Sequence, residues 1–192
     1  MKRTVLIFAT IMALFTVTNH MAQDVKLDNA KSKLTVFGTS NVHDWDIKAE
    51  KMSGNANFEI KEEKLAGIAK LTFVVQAESL KSGKSGMDKN TYKALKTDSH
   101  KNITFTMAKV NKITPAGHDS YRVDTQGTLS IAGTAKQVNL SMVVKMLPNN
   151  GFVLTGKSTI DMTNYKVDPP TAVMGTIKTG KDVTVEFEVT YK

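Results

Sequence analysis

The stretch Val183-Thr184-Val185-Glu186-Phe187-Glu188-Val189-Thr190-Tyr191, close to the end of the chain, decides the fold class. Apolar and polar side chains alternate there with a period of two. Successive side chains of a β-strand point to opposite faces of its sheet, so this period predicts a strand with one buried and one solvated face. Such strands are typical of antiparallel sheets.

The same alternation recurs along the chain. It is clear in Ala69–Ala77, Ile103–Ala108 and Val138–Met146, and weaker in five further stretches: Leu34–Thr39, Trp45–Ala49, Asn55–Ile60, Tyr121–Ser130 and Phe152–Ile160. Turn residues such as Asn149-Asn150-Gly151 separate these stretches. Eight or nine short strands at this spacing predict a barrel or a sandwich. We find no linker or repeat, so we expect a single domain.

Two segments do not follow the strand pattern. Residues Ser82–Ser99 contain good helix formers and no β-branched run, which predicts a short helix packed across one barrel end through Tyr92 and Leu95. Residues Asn164–Lys178 contain Pro169-Pro170, and a proline pair cannot join a regular strand ladder. We expect a long loop, a lid or a bulged edge there.

The first residues resemble an export signal. Lys2 and Arg3 precede an uncharged apolar stretch from Thr4 to Val17, which is short for a membrane span. We predict a signal peptide at 1–22, cleavage near Ala22 and a mature domain at 23–192, periplasmic or secreted. An uncleaved N-terminal anchor is the alternative.

Composition excludes several function classes. The chain of 192 residues has no cysteine, which removes disulfides, thiol catalysis and cysteine-based metal sites. Its net charge is +8, and +6 without residues 1–22, but the lysines are scattered and few aromatic residues lie among them. This dispersion argues against nucleic acid binding and favours a soluble basic surface. A weak attraction to anionic lipid head groups is the sharper alternative.

Catalytic and metal signatures are not apparent. His43, His100 and His118 lie far apart, without ligand spacing, and no serine lies in a Gly-X-Ser-X-Gly context. The polar cluster His43-Asp44-Trp45-Asp46 is best interpreted as a turn whose tryptophan lines or plugs one barrel end, with ligand contact and catalysis as alternatives. We therefore predict that the protein is not an enzyme and uses no metal or cofactor.

The order of several short motifs resembles the YceI-like family of exported bacterial proteins. The motifs are Ser32–Gly38, His43–Trp45, Leu71–Val75, Ser79–Leu80, Met87–Lys96, Ile103–Phe105, Gly127–Thr134, Val138–Leu140, Pro169–Thr171 and Gly180–Val185. Their order and spacing, across roughly residues 26–191, carry the resemblance. Asn102 stands where the family often has a proline.

The resemblance implies a single antiparallel, lipocalin-like β-barrel of about eight strands with one short helix. It also implies a bound polyisoprenoid or isoprenoid-quinone-like lipid. The expected ligand-binding residues of the barrel interior and mouth are Trp45, Leu71, Phe73, Val75, Tyr92, Leu95, Phe105, Met107, Leu129, Leu140, Met142, Val144, Val185 and Phe187.

Two interpretations of the interior remain open. The small and flexible inward side chains suit a cavity, but a filled core would show the same pattern. A filled-barrel envelope stress or structural protein without a small-molecule ligand is therefore the second hypothesis. A polar head group could lie near Lys81, Lys84, Lys89 or Lys93. A homodimer and a transient contact with a membrane surface are further candidates for partners.

Overall fold

The structure is a computed structural model that describes residues 20–192. These residues form twelve β-strands and one α-helix. In chain order they are β1 His20–Lys26, β2 Lys33–Ser40, β3 Trp45–Ala49, β4 Met52–Lys61, β5 Lys64–Gln76, β6 Leu80–Lys81, α1 Ser85–Leu95, β7 Asn102–Gly117, β8 Ser120–Ile131, β9 Thr134–Met146, β10 Phe152–Asp161, β11 Thr171–Ala172 and β12 Ile177–Tyr191. Short 3-10 turns lie at Asn29–Lys31, Ala77–Ser79 and Met162–Tyr165.

The strands form one curled antiparallel sheet in the order β1-β4-β5-β7-β8-β9-β10-β12-β2-β3-β6, with β11 paired to β12. The curl is produced where β3 runs directly into β4 across Glu50 and Lys51. The Gln76 backbone N–H donates to the Lys51 carbonyl, and the Glu50 N–H donates to the Ser79 carbonyl. Hydrogen bonding therefore continues through this bend. Strands β3 and β4 thus belong to opposite ends of the sheet order, and the sheet closes towards a barrel-like shell.

The predicted fold class is confirmed as all-β and antiparallel with one helix, but the predicted number of about eight strands is wrong. All nine predicted stretches lie in strands, with only Ala77 falling outside. Three strands were missed. Strands β6 and β11 have two residues each, too few to show a period, and β1 overlaps the predicted signal segment.

The predicted signal peptide lies mostly outside the described residues. Ala22 itself lies within β1, where it pairs with Glu59 of β4. Cleavage after Ala22 would leave Gln23–Lys26 paired to β4, and that cleavage stays a prediction. Within residues 20–192, no helix has the length and apolar character that a bilayer crossing requires.

One end of the shell is filled with side chains. The Phe58 and Phe152 rings stack at 3.8 Å between centroids, and Tyr191 meets Phe58 edge-on at 6.4 Å. Val123 and Val144 complete this cluster without measurable exposure. The Tyr191 hydroxyl donates to the Thr72 carbonyl at 2.9 Å, which satisfies the polar atom that burial would otherwise leave unpaired. The hairpins β4-β5, β7-β8 and β9-β10 lie at this filled end, and α1 lies at the other.

Candidate ligand cavity

The half of the shell beneath α1 is hollow. It contains a cavity of about 1090 Å³, slightly larger than the roughly 300–1,000 Å³ typical of pockets for small organic ligands. The deep wall is apolar and comes from strands all around the shell. It includes Leu34, Val36, Ile47, Leu71, Phe73, Val75, Phe105, Leu129, Leu140, Met142, Val185 and Phe187.

Three aromatic side chains of the wall each occupy space above a glycine on a neighbouring strand. Trp45 covers Gly38, and Phe187 covers Gly156, each directly across its strand pair. Phe105 covers Gly127, where an added Cβ would lie 2.6 Å from the ring. Any larger residue at these glycines would displace the ring, and at Gly127 it would also meet the Thr106 backbone oxygen, because real Cβ contacts are not that short. The glycines therefore help to keep the cavity open.

The helix α1 covers the open end. Met87, Ala94 and Leu95 face the cavity from the helix. The start of α1 is anchored because the Asp88 carboxylate accepts from the Ser82 backbone N–H at 2.8 Å and from its hydroxyl at 2.6 Å. At its end, Ala94 and Leu95 pack against a small cluster of Ile131, Ala132, Tyr165 and Val167.

Polar side chains also border the cavity. They include Ser40, His43, Lys84, Lys89, Lys136 and Asp161. The Asp161 carboxylate accepts from Lys181 Nζ at 2.6 Å and from the Thr163 hydroxyl at 2.6 Å, and these bonds lower its pKa to about 2. Asp161 is therefore ionised and already partnered. Throughout residues 22–192, every buried side-chain nitrogen or oxygen has a hydrogen-bond partner.

Most of the predicted ligand-binding residues border this cavity. Eleven of the fourteen do so: Trp45, Leu71, Phe73, Val75, Leu95, Phe105, Leu129, Leu140, Met142, Val185 and Phe187. The Trp45 indole N–H donates to the Thr39 carbonyl at 3.0 Å, as expected for a tryptophan at a barrel rim. That these side chains bind a ligand stays a prediction.

The other three lie away from the cavity. Tyr92 turns outwards, where its hydroxyl donates to the Leu80 carbonyl at 3.0 Å and accepts from Lys81 Nζ at 2.6 Å. Met107 and Val144 face inwards but belong to the filled end. A period of two predicts which face a side chain takes, but not whether it lies in the hollow or the filled half.

The lysines and histidines considered in the sequence analysis also divide into some that border the cavity and some that do not. Lys84, Lys89 and His43 border the cavity, whereas Lys81 and Lys93 do not. His100 packs against Gly133, and His118 lies 2.8 Å from the Asp119 carboxylate. Over the described part of the chain, no cluster of three or more His, Asp or Glu side chains is placed to hold a metal ion.

The sequence analysis missed several residues of the wall. Leu34, Val36 and Ile47 lie on predicted strands at alternating positions, so the period could have found them. Met87 and Ala94 of α1 and Pro170 of the following loop could not be found in this way, because only the tertiary packing brings them over the cavity.

A curled antiparallel sheet with an apolar cavity under one helix defines a barrel-like protein of the kind that can enclose a small molecule. The family profile described as the YceI-like domain matches residues 25–191, so the chain belongs to the YceI-like family. A comparison with curated proteins gives no match.

Solved structures share this fold at low sequence identity. A polyisoprenoid-binding domain from Saccharophagus degradans, implicated in plant cell wall breakdown, is 15% identical with a TM-score of 0.68, covering 88% of this chain and 97% of that domain. BcnA from Burkholderia cenocepacia is 20% identical with a TM-score of 0.66, covering 85% of this chain and 98% of BcnA. A YceI protein from Campylobacter jejuni is 16% identical with a TM-score of 0.56, and the match covers 99% of this chain and 97% of that protein.

Proposed function

We propose that this protein is an exported binding protein that holds a long apolar lipid, of the polyisoprenoid or isoprenoid-quinone type, inside the shell. The observation that carries the proposal is the cavity of about 1090 Å³ with its apolar deep wall. A structural neighbour described as polyisoprenoid-binding supports the same ligand class.

Burial of the ligand chain would supply the affinity. Each CH₂ group removed from water contributes about 0.8 kcal/mol, so a few isoprene units suffice for tight binding. The deep wall offers no charge, which suits an apolar chain, since an unpaired buried charge is unfavourable by several kcal/mol. A polar head group would lie at the α1 end, near Lys84 and Lys89.

We also propose that the protein binds its ligand without chemical conversion. The imidazole of His43 borders the cavity, but its Nδ1 lies 3.0 Å from the backbone oxygen of Asp44. Its other ring nitrogen, Nε2, has no hydrogen bond to a hydroxyl or a carboxylate among the described residues, whereas a general base that activates a nucleophile lies within hydrogen-bond reach of it. Large side chains that meet in the centre of the barrel would favour the filled-barrel hypothesis. They meet only at the end that contains Phe58, Phe152 and Tyr191, which favours the binding hypothesis.

We propose the surface of a lipid bilayer as a transient partner. Val42 (61% exposed), Val173 (68%) and the fully exposed Met174 lie on two loops tied together by Asn41, whose side chain bonds the Thr176 carbonyl and the Lys178 N–H. Val173 has a backbone φ of 51°, which a β-branched residue rarely adopts, so its exposed position is held by the loop and not by its own preference.

The three exposed apolar side chains lie next to the mouth of the cavity. Nearby residues of the chain, Ser40, His43 and Ala172, border the cavity. An exposed apolar rim continuous with an apolar cavity suits uptake of a lipid from a bilayer.

Native mass spectrometry of residues 23–192, purified without detergent from a bacterial periplasm, tests the proposed function. We expect a stoichiometric adduct whose mass, after organic extraction, is that of an isoprenoid. A ligand-free mass that persists after incubation with quinones and polyprenyl lipids would support the filled-barrel hypothesis instead.

Two variants connect this result to the cavity. Phe73→Asp places a carboxylate in the wall, and we expect loss of the adduct. Val74→Asp changes the neighbouring residue of β5, which does not border the cavity, and we expect the adduct to remain. Equal loss in both variants would argue against binding in this cavity.

Flotation with vesicles that contain phosphatidylglycerol tests the bilayer contact. We expect the protein to float with the vesicles, and a Val42→Ser, Val173→Ser, Met174→Ser variant to remain in solution while it still binds the lipid. Unchanged flotation of that variant would exclude the rim as the contact.

A further inference from the structure

The wall of the shell is split between β9 and β10. Their hydrogen-bonded register runs from Met146↔Phe152 to Met142↔Gly156 and then ends. Beyond that pair, residues 134–141 of β9 and 157–161 of β10 are not paired with each other.

Both strands nevertheless remain regular along this slit. β9 pairs with β8 from Thr134 onwards, and β10 pairs with β12 as far as Asp161. Each strand follows its other neighbour, so the two diverge. At about 3.3 Å per residue, the five unpaired residues of β10 give the slit a length of roughly 16 Å.

The slit opens into the cavity. In a closed wall only alternate residues of a strand border the interior. Here the consecutive residues 136–140 of β9 and 158–161 of β10 all border it. Side chains of both faces therefore reach the same space, as expected at the rim of an opening.

The chemistry of the slit differs between its inner and outer sides. Val138, Leu140 and Ile160 are partly buried and line the inner side. Gln137 and Asn139 are exposed on the outer face of the free edge of β9, and the exposed Lys136 precedes Val138 on the inner face. Charged and polar side chains on a free strand edge discourage pairing with another strand, so they suit an edge that stays open.

The size of the cavity limits how much of a ligand it can enclose. One water molecule occupies about 30 Å³ in the liquid, and we take the same volume for each non-hydrogen atom of a ligand. The cavity of about 1090 Å³ then holds roughly 36 such atoms. That corresponds to about seven isoprene units of five carbons each. A longer polyisoprenoid must project from the cavity, and the slit offers an apolar inner lip for the projecting part.

We infer that the slit between β9 and β10 is the passage through which chains longer than the cavity leave the shell, so that the protein accepts isoprenoid chains longer than those the cavity can enclose. This inference rests on the proposed function. Within the ligand class of the proposed function, the inference specifies linear isoprenoid chains, including chains that are too long for the cavity to enclose.

Reversible closure of the slit tests the inference. The chain has no cysteine, so an Asn139→Cys, Thr159→Cys variant carries only the two introduced thiols, one on each exposed edge of the slit. A short bismaleimide with a disulfide in its spacer joins them and is cleaved by reductant. The matched control is Val143→Cys, Thr155→Cys, which places the same link across a pair that is already hydrogen-bonded.

The probes are farnesol, with three isoprene units, and undecaprenol, with eleven. We expect the uncrosslinked protein and the crosslinked control to bind both. Closure of the slit should leave the affinity for farnesol within twofold and weaken undecaprenol at least tenfold, and reductant should restore undecaprenol binding. Undecaprenol binding that survives closure, or equal loss of both probes on closure, would overturn the inference. Failure of the unmodified protein to bind either probe would instead contradict the proposed function.

Discussion

At the scale of single residues, the glycines under Trp45, Phe105 and Phe187 are as important to the cavity as the aromatic residues themselves. In a strand, glycine offers no side chain to pack, and it is tolerated where a neighbouring group approaches closely. Here that group is an aromatic ring on the adjacent strand, and the ring covers the glycine instead of filling the interior.

Gly156→Ala tests this arrangement. The added methyl group would occupy the place of the Phe187 ring, and overpacking of this kind typically costs about 1–3 kcal/mol. We expect a lower free energy of unfolding in urea titrations and weaker binding of farnesol, because the displaced ring enters the cavity. Gly86→Ala is the control. Gly86 also borders the cavity, but a methyl group added there would meet no heavy atom within 4 Å and would displace no ring, and alanine favours a helix by about 0.5–1 kcal/mol. Equal behaviour of the two variants would contradict this role for Gly156.

Asp161 gives a prediction on pH. Its partners Lys181 and Thr163 lower its pKa from 3.8 to about 2, so folding favours the ionised form. A carboxylate of this kind stabilises the protein above the pKa of the unfolded state, and the contribution disappears as the pH falls through the folded pKa. We expect Asp161→Asn to lower the urea midpoint at neutral pH, with the difference from the wild type shrinking between about pH 4 and pH 2.

The exposed Asp98 provides the control for this measurement. Asp98→Asn should leave the urea midpoint at neutral pH close to that of the wild type. A constant difference between Asp161→Asn and the wild type across the acid range would show that the ionised carboxylate is not the cause.

At the scale of elements, α1 has two different roles on its two sides. Tyr92 ties the helix to β6 from outside, whereas Met87 faces the cavity. We expect Tyr92→Phe to lower the free energy of unfolding by about 1 kcal/mol through the lost hydrogen bonds, with farnesol affinity unchanged.

Met87→Asp should behave in the opposite way. A carboxylate at this position must be desolvated when the ligand binds, so we expect at least tenfold weaker farnesol binding with a smaller loss of stability. Fluorescence-detected urea unfolding and native mass spectrometry of both variants separate the two effects. Weaker binding in Tyr92→Phe would place its side chain, contrary to the structure, in the ligand site.

The strand β1 protects the edge of β4. Val25 is 6% exposed and belongs to the core of the filled end, and Leu27 pairs with Tyr191 next to it. We expect a chain that begins at residue 27 to lose about 2–3 kcal/mol of stability relative to 23–192, through the loss of Val25 burial and of strand pairing. The uncovered edge of β4 should also promote aggregation, which light scattering detects. Equal stability of the two chains would show that β1 is dispensable.

At the scale of the whole molecule, the two halves of the shell divide the tasks of stability and binding. The aromatic cluster at the filled end holds the sheet together, and the hollow end leaves apolar surface for a ligand. A ligand that binds only the folded state raises its stability by RT ln(1 + [L]/Kd), about 2.7 kcal/mol at one hundred times Kd. We expect farnesol to raise the unfolding midpoint of the wild type by a matching amount and that of Phe73→Asp by much less. An equal rise in both proteins would argue against this cavity as the site.

The sequence by itself determined nine of the twelve strands of the described residues and part of the cavity wall. A period of two identifies nine strands, because side-chain alternation is a local property of the extended backbone. The same alternation, taken together with the family resemblance, selected ten strand residues that border the cavity, such as Phe73 and Leu140.

Only the tertiary structure decided which end of the shell is hollow. Met107 and Val144 alternate in the same way as Leu140 and Met142, yet they lie at the filled end, because the stacked Phe58 and Phe152 rings occupy that half. The bend between β3 and β4 and the slit between β9 and β10 depend on which neighbour each strand follows. Alternation shows which way a side chain points, but the position of a cavity depends on contacts between residues that are far apart in the chain.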